Sequence, residues 1–318
     1  MRFTALLGAL LLTACSSAPS LPSSVANRLT TARQLDVPFI DQQDYYCGPA
    51  ALSSIAQYRG VAADQQSVAS MSFIPGRRGS LSLEMQAASR RLGLLPYPLA
   101  PSLSALLSEL DAGNPVLVLQ NLGLSWWPQW HYAVALGYDL AAGELLLHSG
   151  SHPYYRLGFD TFYATWARAQ HWARVPVGVA ATPVSAEAIV YLQAAHAFEE
   201  TGQLARALAY YRRATEQWPE HVVAWLALAN VAYQLADTEL AMRSYERALN
   251  LAPERAGLWN NYAYSLQAAG CQTLAEAAIR RARLLAPEDG NIADSAAELA
   301  ASKPQPAATT CPSELPNH

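Results

Sequence analysis

The sequence predicts two domains, an α+β domain followed by an all-α repeat solenoid. At 318 residues the chain is longer than one typical domain. Between residues 35 and 180, short apolar stretches typical of strands alternate with amphipathic stretches typical of helices. From about residue 185 onward, the same residue types recur at intervals of 34 residues. These observations define a mixed first half and a helical second half.

The overall composition narrows the function classes. Apolar residues make up 52% of the chain and charged residues 14%, which is enough for two substantial cores. The net charge of −4 is spread without long runs, which argues against a nucleic-acid-binding surface or a polybasic membrane patch. Residues 16–318 contain no continuous apolar run long enough to form a spanning helix.

Residues 1–15 have the pattern of an export signal. Arg2 is followed by the apolar run Phe3–Leu12, and small residues then lead to Cys15. The sequence Leu12–Cys15 resembles a bacterial lipobox, which implies that Cys15 is lipid-modified and becomes the mature first residue. The alternatives are an ordinary secretory signal with a chance cysteine or a short membrane anchor. The run is too short to cross a bilayer as a helix.

The segment after the signal predicts a tether and a location. Residues 16–34 are rich in Ser, Ala and Pro, which is typical of a flexible linker. In a Gram-negative organism Ser16 favours sorting to the outer membrane. The expected location is therefore the cell envelope, with the protein lipid-anchored and facing the periplasm.

The α+β domain is expected at residues 35–180, with a short extended lead-in. Its predicted helices are 50–58, 83–92, 103–110 and 160–169, and its predicted strands are 115–120, 131–138, 144–148 and 172–177. The turn between the second and third of these strands makes them a hairpin.

A cysteine stands where the first of these helices begins. Cys47 lies in the sequence Asp44–Ala51, followed by Gly48 and Pro49. Pro49 fits a first helical turn, and Gly48 permits a sharp turn into it. The positive end of a helix favours a thiolate and lowers the pKa of a thiol placed there. The alternative is a structural cysteine at a helix start.

This segment resembles the papain-like peptidase domain that removes double-glycine leaders from bacteriocin precursors. The resemblance runs from about Val37 to Val175 and is carried by Gln42, Cys47–Ala50 and His131–Val134. It implies that Cys47 is the nucleophile and that His131 is the general base and later the general acid.

The resemblance also implies that Gln42 donates to the oxyanion, together with the Cys47 backbone N–H. Gln43 is an alternative donor, and either glutamine is alternatively an exposed polar residue. His131, next to Trp130, is alternatively a packing residue.

The third catalytic position departs from the family pattern. The family places Asp or Asn on the strand after the histidine, whereas in this chain that strand ends with Leu145–Gly150, and His148 falls at or beside the expected position. A neutral His148 would accept a hydrogen bond from His131 and fix its tautomer, with weaker stabilisation of the imidazolium than a carboxylate gives. Asp139 is expected to lie too far along the hairpin, and Asn121 is a further candidate.

The second half resembles the tetratricopeptide repeat. Equivalent residues stand 34 positions apart in three units at about 186–287, followed by a capping helix at 291–301, and the solenoid is expected at 185–303 with a tail at 304–318. The recurring residues are Pro219, Pro253, Pro287, Ala207, Ala241, Ala275, Ala214, Ala248, Ala282, Trp225 and Trp259. Gly202 and Gly270 mark the turns of the outer units, and Ala236 replaces glycine in the second. Such repeats normally hold a peptide or a partner protein; the alternative is a rigidifying or dimerising role.

Other features complete the prediction. Cys271 and Cys311 either pair in an oxidising compartment or remain independent thiols.

The sequence contains no metal-binding motif, and no cofactor or metal is expected. Gly76 and Gly79 belong, with Arg77 and Arg78, to a loop that either covers the cleft or is an ordinary connection.

The expected function is that of a membrane-anchored cysteine peptidase acting on a peptide or protein substrate, with repeats that recruit this substrate or a partner. The small residues of double-glycine leaders suggest a bound segment that ends in small residues. The first alternative is a peptidase-like domain that binds a peptide without cleaving it. The second is a transglutaminase-like domain that transfers the acyl group to an amine.

Overall fold

The computed structural model describes residues 18–74, 76, 79–302 and 311–316. The predicted lipidation site Cys15, the loop residues Arg77 and Arg78 and most of the predicted tail lie outside these ranges. The described residues divide into two compact units. The first comprises residues up to 81 together with 99–174, and the second comprises residues 82–98 together with 175 onward. No described helix has both the length and the apolar character needed to span a bilayer.

The first unit is built on an antiparallel sheet. Its strands are β1 (Ala32–Gln34), β3 (Val116–Asn121), β4 (Trp130–Asp139), β5 (Glu144–Ser149), β6 (His152–Gly158) and the first residues of β7 (Ala173–Val177). The order of adjacent strands is β7–β3–β4–β5–β6, and β1 pairs with the far end of β4. Residues 32–34, at the end of the predicted tether, are therefore hydrogen-bonded to the sheet as β1.

The first unit contains the helices α1 (Ser23–Ala26), α2 (Cys47–Tyr58), α3 (Gln65–Ser72), α5 (Leu103–Asp111) and α6 (Phe159–Ala167). Helices α2, α5 and α6 pack on the sheet, and α3 packs on α2. Helix α2 packs on β4 and is buried along most of its length. Its end at Gly60 fits the positive φ of 75° that this glycine adopts. The buried α2 thereby fixes Cys47 beside the central strand.

The second unit is the helical solenoid. Its repeat helices are α7 (Ala188–Glu200), α8 (Leu204–Gln217), α9 (Val222–Gln234), α10 (Thr238–Leu251), α11 (Ala256–Ala268) and α12 (Gln272–Leu285), with the capping helix α13 (Gly290–Ala301). The six recurring alanines are all buried, which lets the paired helices approach closely. Trp225 and Trp259 each donate from the indole N–H to the carbonyl of the preceding repeat's proline, Pro219 or Pro253, at 2.8 Å. The 34-residue period is thus repeated in the hydrogen bonds.

The second unit also includes a segment from earlier in the chain, α4 (Ser82–Arg91) and β2 (Leu95–Pro98). The Tyr210 hydroxyl on α8 lies 2.7 Å from the Gly93 carbonyl and 2.9 Å from the Val177 carbonyl. The same hydroxyl accepts the N–H of Leu95. Arg206 donates to the last carbonyls of α4. The first repeat and this segment therefore share one packed interior.

Candidate active site

Cys47 is the first residue of α2, three positions before the predicted start of this helix. Tyr46 occupies the position before the helix, and Tyr45 has a φ of 66°, a left-handed conformation that is costly for a residue with a side chain. This turn brings the chain abruptly into the helix at Cys47. Pro49 falls within the first turn, where its missing N–H has no helical partner to lose.

The pKa of the Cys47 thiol is shifted in the opposite direction from the one expected for a thiol at a helix N-terminus. Burial raises the pKa of the Cys47 thiol above its ordinary value. The backbone N–H groups of Tyr132, Gly48 and Cys47 itself lower this pKa, but they are smaller effects than burial. The positive end of α2 is thus outweighed, and the resting side chain is a neutral thiol at pH 7.

A small cleft opens beside this thiol. It is lined by Phe39, Ile40, Gln42, Cys47, Ala50, Ala51, Ser54, Tyr132, His148 and Gly150. The volume open to the centre of a water molecule is about 10 Å³, which is room for about one water. Gln42 therefore lines the same cleft as Cys47. Gln43 is not a lining residue, and its backbone N–H is bonded to Gln65.

His131 lies at the start of β4, immediately before Tyr132. Its Nε2 is 2.9 Å from the Ser149 hydroxyl, at the end of β5. Burial lowers the pKa of His131 below its ordinary value, so the ring is neutral at pH 7. Within the described ranges no hydrogen bond joins the His131 ring to the Cys47 thiol. His131 therefore lies on β4, the strand whose Tyr132 N–H is bonded to the Cys47 thiol, and the His131 ring is bonded to Ser149.

His148 occupies a different environment from the predicted one. Its Nε2 donates to the Val37 carbonyl at 2.9 Å, and its Nδ1 accepts the backbone N–H of Tyr154 at 3.2 Å. Both ring nitrogens are used, which fixes the neutral tautomer with the proton on Nε2. The rings of Phe39 and Tyr154 pack edge-on against it. The hydrogen bond expected between His148 and His131 is not formed.

The strand register explains why the two histidines are separate. Directly opposite residues of antiparallel strands share a face, and successive residues alternate between faces. His148 is opposite Val134 and so shares a face with Tyr132, whereas His131 is opposite Gln120 on the other face. A histidine one residue out of phase cannot orient His131. Ser149, the next residue, has the correct phase, and strand alternation is the signal that would have found it.

The two other candidates for the third position have different roles. Asn121 is buried and bonds to the loop between β3 and β4 through Gly123, Leu124 and Gln129. The Asp139 carboxylate accepts the N–H groups of the turn that follows β4. Both side chains hold loops. Over the described part of the chain, no group of three or more His, Cys, Asp and Glu side chains is close enough to hold a metal ion.

Comparison with known families agrees with both halves of the chain. Residues 34–173 match the model of the Peptidase_C39 like family. Residues 188–231 and 222–255 match models of the tetratricopeptide repeat. The chain thus contains a Peptidase_C39-like α+β domain followed by a tetratricopeptide-repeat solenoid.

Solved structures similar to the chain match its repeats. The second tetratricopeptide domain of human RPAP3, solved with an HSP70 peptide, is 16% identical with a TM-score of 0.35, and the match covers 36% of this chain and 96% of that one. YrrB, described as a repeat protein with an unusual peptide-binding site, is 25% identical with a TM-score of 0.33, and the match covers 36% of this chain and 58% of that one. No curated protein matches the chain.

Proposed function

We propose that the protein is a cysteine peptidase that hydrolyses a peptide bond through a thioester on Cys47. The observation that carries this proposal is the position of Cys47, as the first residue of a buried helix, in one cleft with Gln42 and against β4, whose second residue is His131. The match of residues 34–173 to a peptidase-like family supports the same chemistry.

The proposed mechanism begins from a neutral thiol and a neutral imidazole. His131 binds Ser149 through Nε2, and strand register places its resting side chain on the opposite face of β4 from Tyr132. In the proposed mechanism the ring turns toward the cleft at the start of the strand, and Nδ1 takes the thiol proton. The Cys47 sulfur attacks the scissile carbonyl, and the Gln42 amide and the Cys47 N–H stabilise the oxyanion. His131 then protonates the leaving amine, and water hydrolyses the thioester. In this mechanism the Ser149 hydroxyl accepts a hydrogen bond from the Nε2–H of His131, which leaves Nδ1 as the base.

The remaining parts of the proposal concern location and recruitment. A lipid on Cys15 would tether the protein to the outer membrane, facing the periplasm. The disulfide between Cys271 and Cys311 supports an oxidising compartment. The repeats would recruit the protein substrate or a partner, since tetratricopeptide repeats typically bind peptides or proteins.

The test is peptide cleavage by a soluble, lipid-free chain, residues 16–318, on a mixed peptide library with mass-spectrometric detection of new N-termini. Cys47→Ala should abolish cleavage, and His131→Ala should lower it at least about 100-fold. His152→Ala, which removes an exposed histidine, is the matched control and should leave the rate unchanged. Cleavage that survives Cys47→Ala would refute the mechanism. Incorporation of a primary amine in place of water would instead indicate acyl transfer.

A second candidate function is peptide binding without cleavage. It is favoured by the raised pKa of Cys47 and by the missing hydrogen bond between Cys47 and His131 within the described residues. Alkylation of Cys47 by iodoacetamide separates the candidates. An alkylation rate that falls in His131→Ala supports the peptidase. An alkylation rate that follows the pH dependence of an ordinary thiol and is unchanged in His131→Ala supports the binding protein.

A further inference from the structure

The loop between β3 and β4 displays large apolar side chains to solvent. We call residues 122–130 the tryptophan hairpin. The exposed fractions of its apolar side chains are 49% for Leu122, 56% for Leu124, 78% for Trp126, 67% for Trp127 and 56% for Trp130. The hairpin contains no charged residue. Exposed apolar groups clustered in this way mark interaction sites, and Trp supplies a large and rigid contact area.

The hairpin is held rigidly in this exposed form. The buried Asn121 side chain accepts the N–H groups of Gly123 and Gln129 and donates to the Leu124 carbonyl. A Cβ on Gly123 would lie 2.4 Å from the Trp127 carbonyl oxygen, so only glycine fits this close approach. A surface that is already ordered loses little conformational entropy when it binds. Its construction therefore suits a docking role.

The position of the hairpin argues against contact with the membrane. The backbone N–H of Ala18 is bonded to Asp160, near the end of β4 at Asp139. Cys15, the proposed lipid site, is three residues before Ala18. Trp130 is at the opposite end of β4, about 30 Å away along the strand. Ala18, the first described residue after the proposed lipid site, and the hairpin thus lie at opposite ends of the sheet.

The hairpin is continuous with the candidate active site. Trp130 directly precedes His131 on β4, and the next N–H, that of Tyr132, points at the Cys47 thiol. We propose that the tryptophan hairpin docks an uncharged, apolar segment of the polypeptide that is processed at Cys47. This inference rests on the proposed function for the identity of the occupant, and its binding step does not require cleavage.

The experiment measures binding in a Cys47→Ala background, so that its outcome is independent of catalysis. The probes are short fluorescein-labelled peptides of Leu, Phe, Ala and Ser, and matched peptides with Glu in place of Leu and Phe. Fluorescence anisotropy should show saturable binding of the apolar peptides alone. The double variant Trp126→Ser and Trp127→Ser should weaken this binding at least about tenfold, as expected for central aromatic contacts.

The matched control is Leu284→Ser, which removes an apolar side chain that is 75% exposed in the second unit. It should leave the affinity unchanged, and the melting temperature of each variant should equal that of the parent. The proposal would be overturned if Leu284→Ser weakened peptide binding as much as the double variant does. It would also be overturned if the Glu peptides bound as tightly as the apolar peptides, or if no peptide bound. Trp-dependent binding to phosphatidylethanolamine–phosphatidylglycerol vesicles, without binding of the peptides, would assign the surface to a membrane and would also overturn it.

Discussion

At the residue scale, Gln65 fixes the loop that carries Gln42. It is buried at the start of α3, where its Oε1 accepts the Gln43 N–H at 2.9 Å and its Nε2 donates to the Asp41 carbonyl at 2.8 Å. The two bonds hold the backbone on both sides of Gln42. Gln65 is therefore a positioning residue for the proposed oxyanion donor.

Replacing Gln65 with Ala should loosen this loop. Each lost hydrogen bond is worth about 1 kcal/mol, so amide exchange at Gln43 should accelerate and the cleavage rate should fall through kcat more than through KM. Gln57→Ala is the matched control, because it removes a comparable bond to the Ala63 carbonyl. In a Gln42→Ala background the effect of Gln65→Ala on kcat should disappear. Persistence of the full effect in that background would show that Gln65 acts elsewhere.

His148 should make folding stability sensitive to acid. Burial lowers its pKa, and the bond to the Val37 carbonyl partly offsets this shift. Because the unfolded chain takes up the proton first, stability is complete above about pH 6.5 and is lost as the pH falls below it, by at most about 1.4 kcal/mol per pH unit for this group.

Melting temperatures measured from pH 7 to pH 5 test this prediction. The decline should be shallower in His148→Gln, which has no titratable group at this position. Burial also lowers the pKa values of His131 and His171, so the melting temperature of His148→Gln should still fall between pH 7 and pH 5. Parallel curves for the parent and the variant would contradict the role of His148.

At the scale of elements, the turn within the second repeat is under strain. Ala236 has a φ of 59°, whereas the equivalent residues Gly202 and Gly270 have φ values of 72° and 80°. The sequence shows alanine where the other repeats have glycine, and the structure shows that the backbone keeps the conformation of glycine. The Cβ therefore adds local strain to this turn.

Replacing Ala236 with Gly should raise the free energy of unfolding by about 1 kcal/mol, since relief of the left-handed strain exceeds the added chain entropy. Gly202→Ala is the reciprocal control. A Cβ there would have open space around it, so its expected cost of about 1 kcal/mol is conformational alone. Chemical denaturation measures both changes. Destabilisation by Ala236→Gly would show that the Cβ makes a compensating contact.

The repeat helices also form a groove with a defined charge. Its free volume is about 440 Å³, and its lining residues are Glu199, Asn230, Tyr233, Gln234, Tyr245, Asn261, Tyr264 and Glu298. The two glutamates are the charged members of this lining, so we predict that Lys-rich peptides bind more tightly than matched Glu-rich peptides. Calorimetry at low and high salt should show weaker Lys-peptide binding at high salt. Glu298→Gln should reduce the preference, and a preference for Glu peptides would refute it.

The sequence predicted the elements of the chain unevenly. The 34-residue period predicted the solenoid because each repeat must bury the same small residues against its neighbours. Helix α3 and strand β6 were not predicted, since the polar sequence of α3 and the exposed face of β6 carry little periodic signal. Gln42 and Cys47 could be brought together by a motif. The pairing of His131 with Ser149 depends on strand alternation and register, because a shift of one residue moves a side chain to the other face of the sheet.

At the scale of the whole molecule, a disulfide fastens the described end of the chain to the repeats. Cys271 and Cys311 are bonded across a separation of 40 residues, with Cα atoms 5.6 Å apart. Cys311 and Leu315 pack against the core of the repeats. The structure thus selects the paired alternative that the sequence left open.

Loss of this disulfide should destabilise the repeats by about 4 kcal/mol, the loop-closure value for this separation. A reductant should lower the melting temperature of the parent to that of Cys311→Ser, and it should have no effect on the variant. Cys47→Ala is the control, since Cys47 is a free thiol and its loss should leave the effect of the reductant unchanged. An unchanged melting temperature in reductant would show that the tail contributes little to folding.

The hydrogen bonds of the Tyr210 hydroxyl to Gly93, Leu95 and Val177 limit where the gene can recombine without loss of packing. Residues 82–98 lie inside the peptidase-like match, yet they complete the interior of the first repeat. A recombination event that exchanged the solenoid at residue 180 would leave α4 and β2 without the side chains that receive them. A recombination that keeps the first repeat packed must therefore carry residues 82–98 with the repeats.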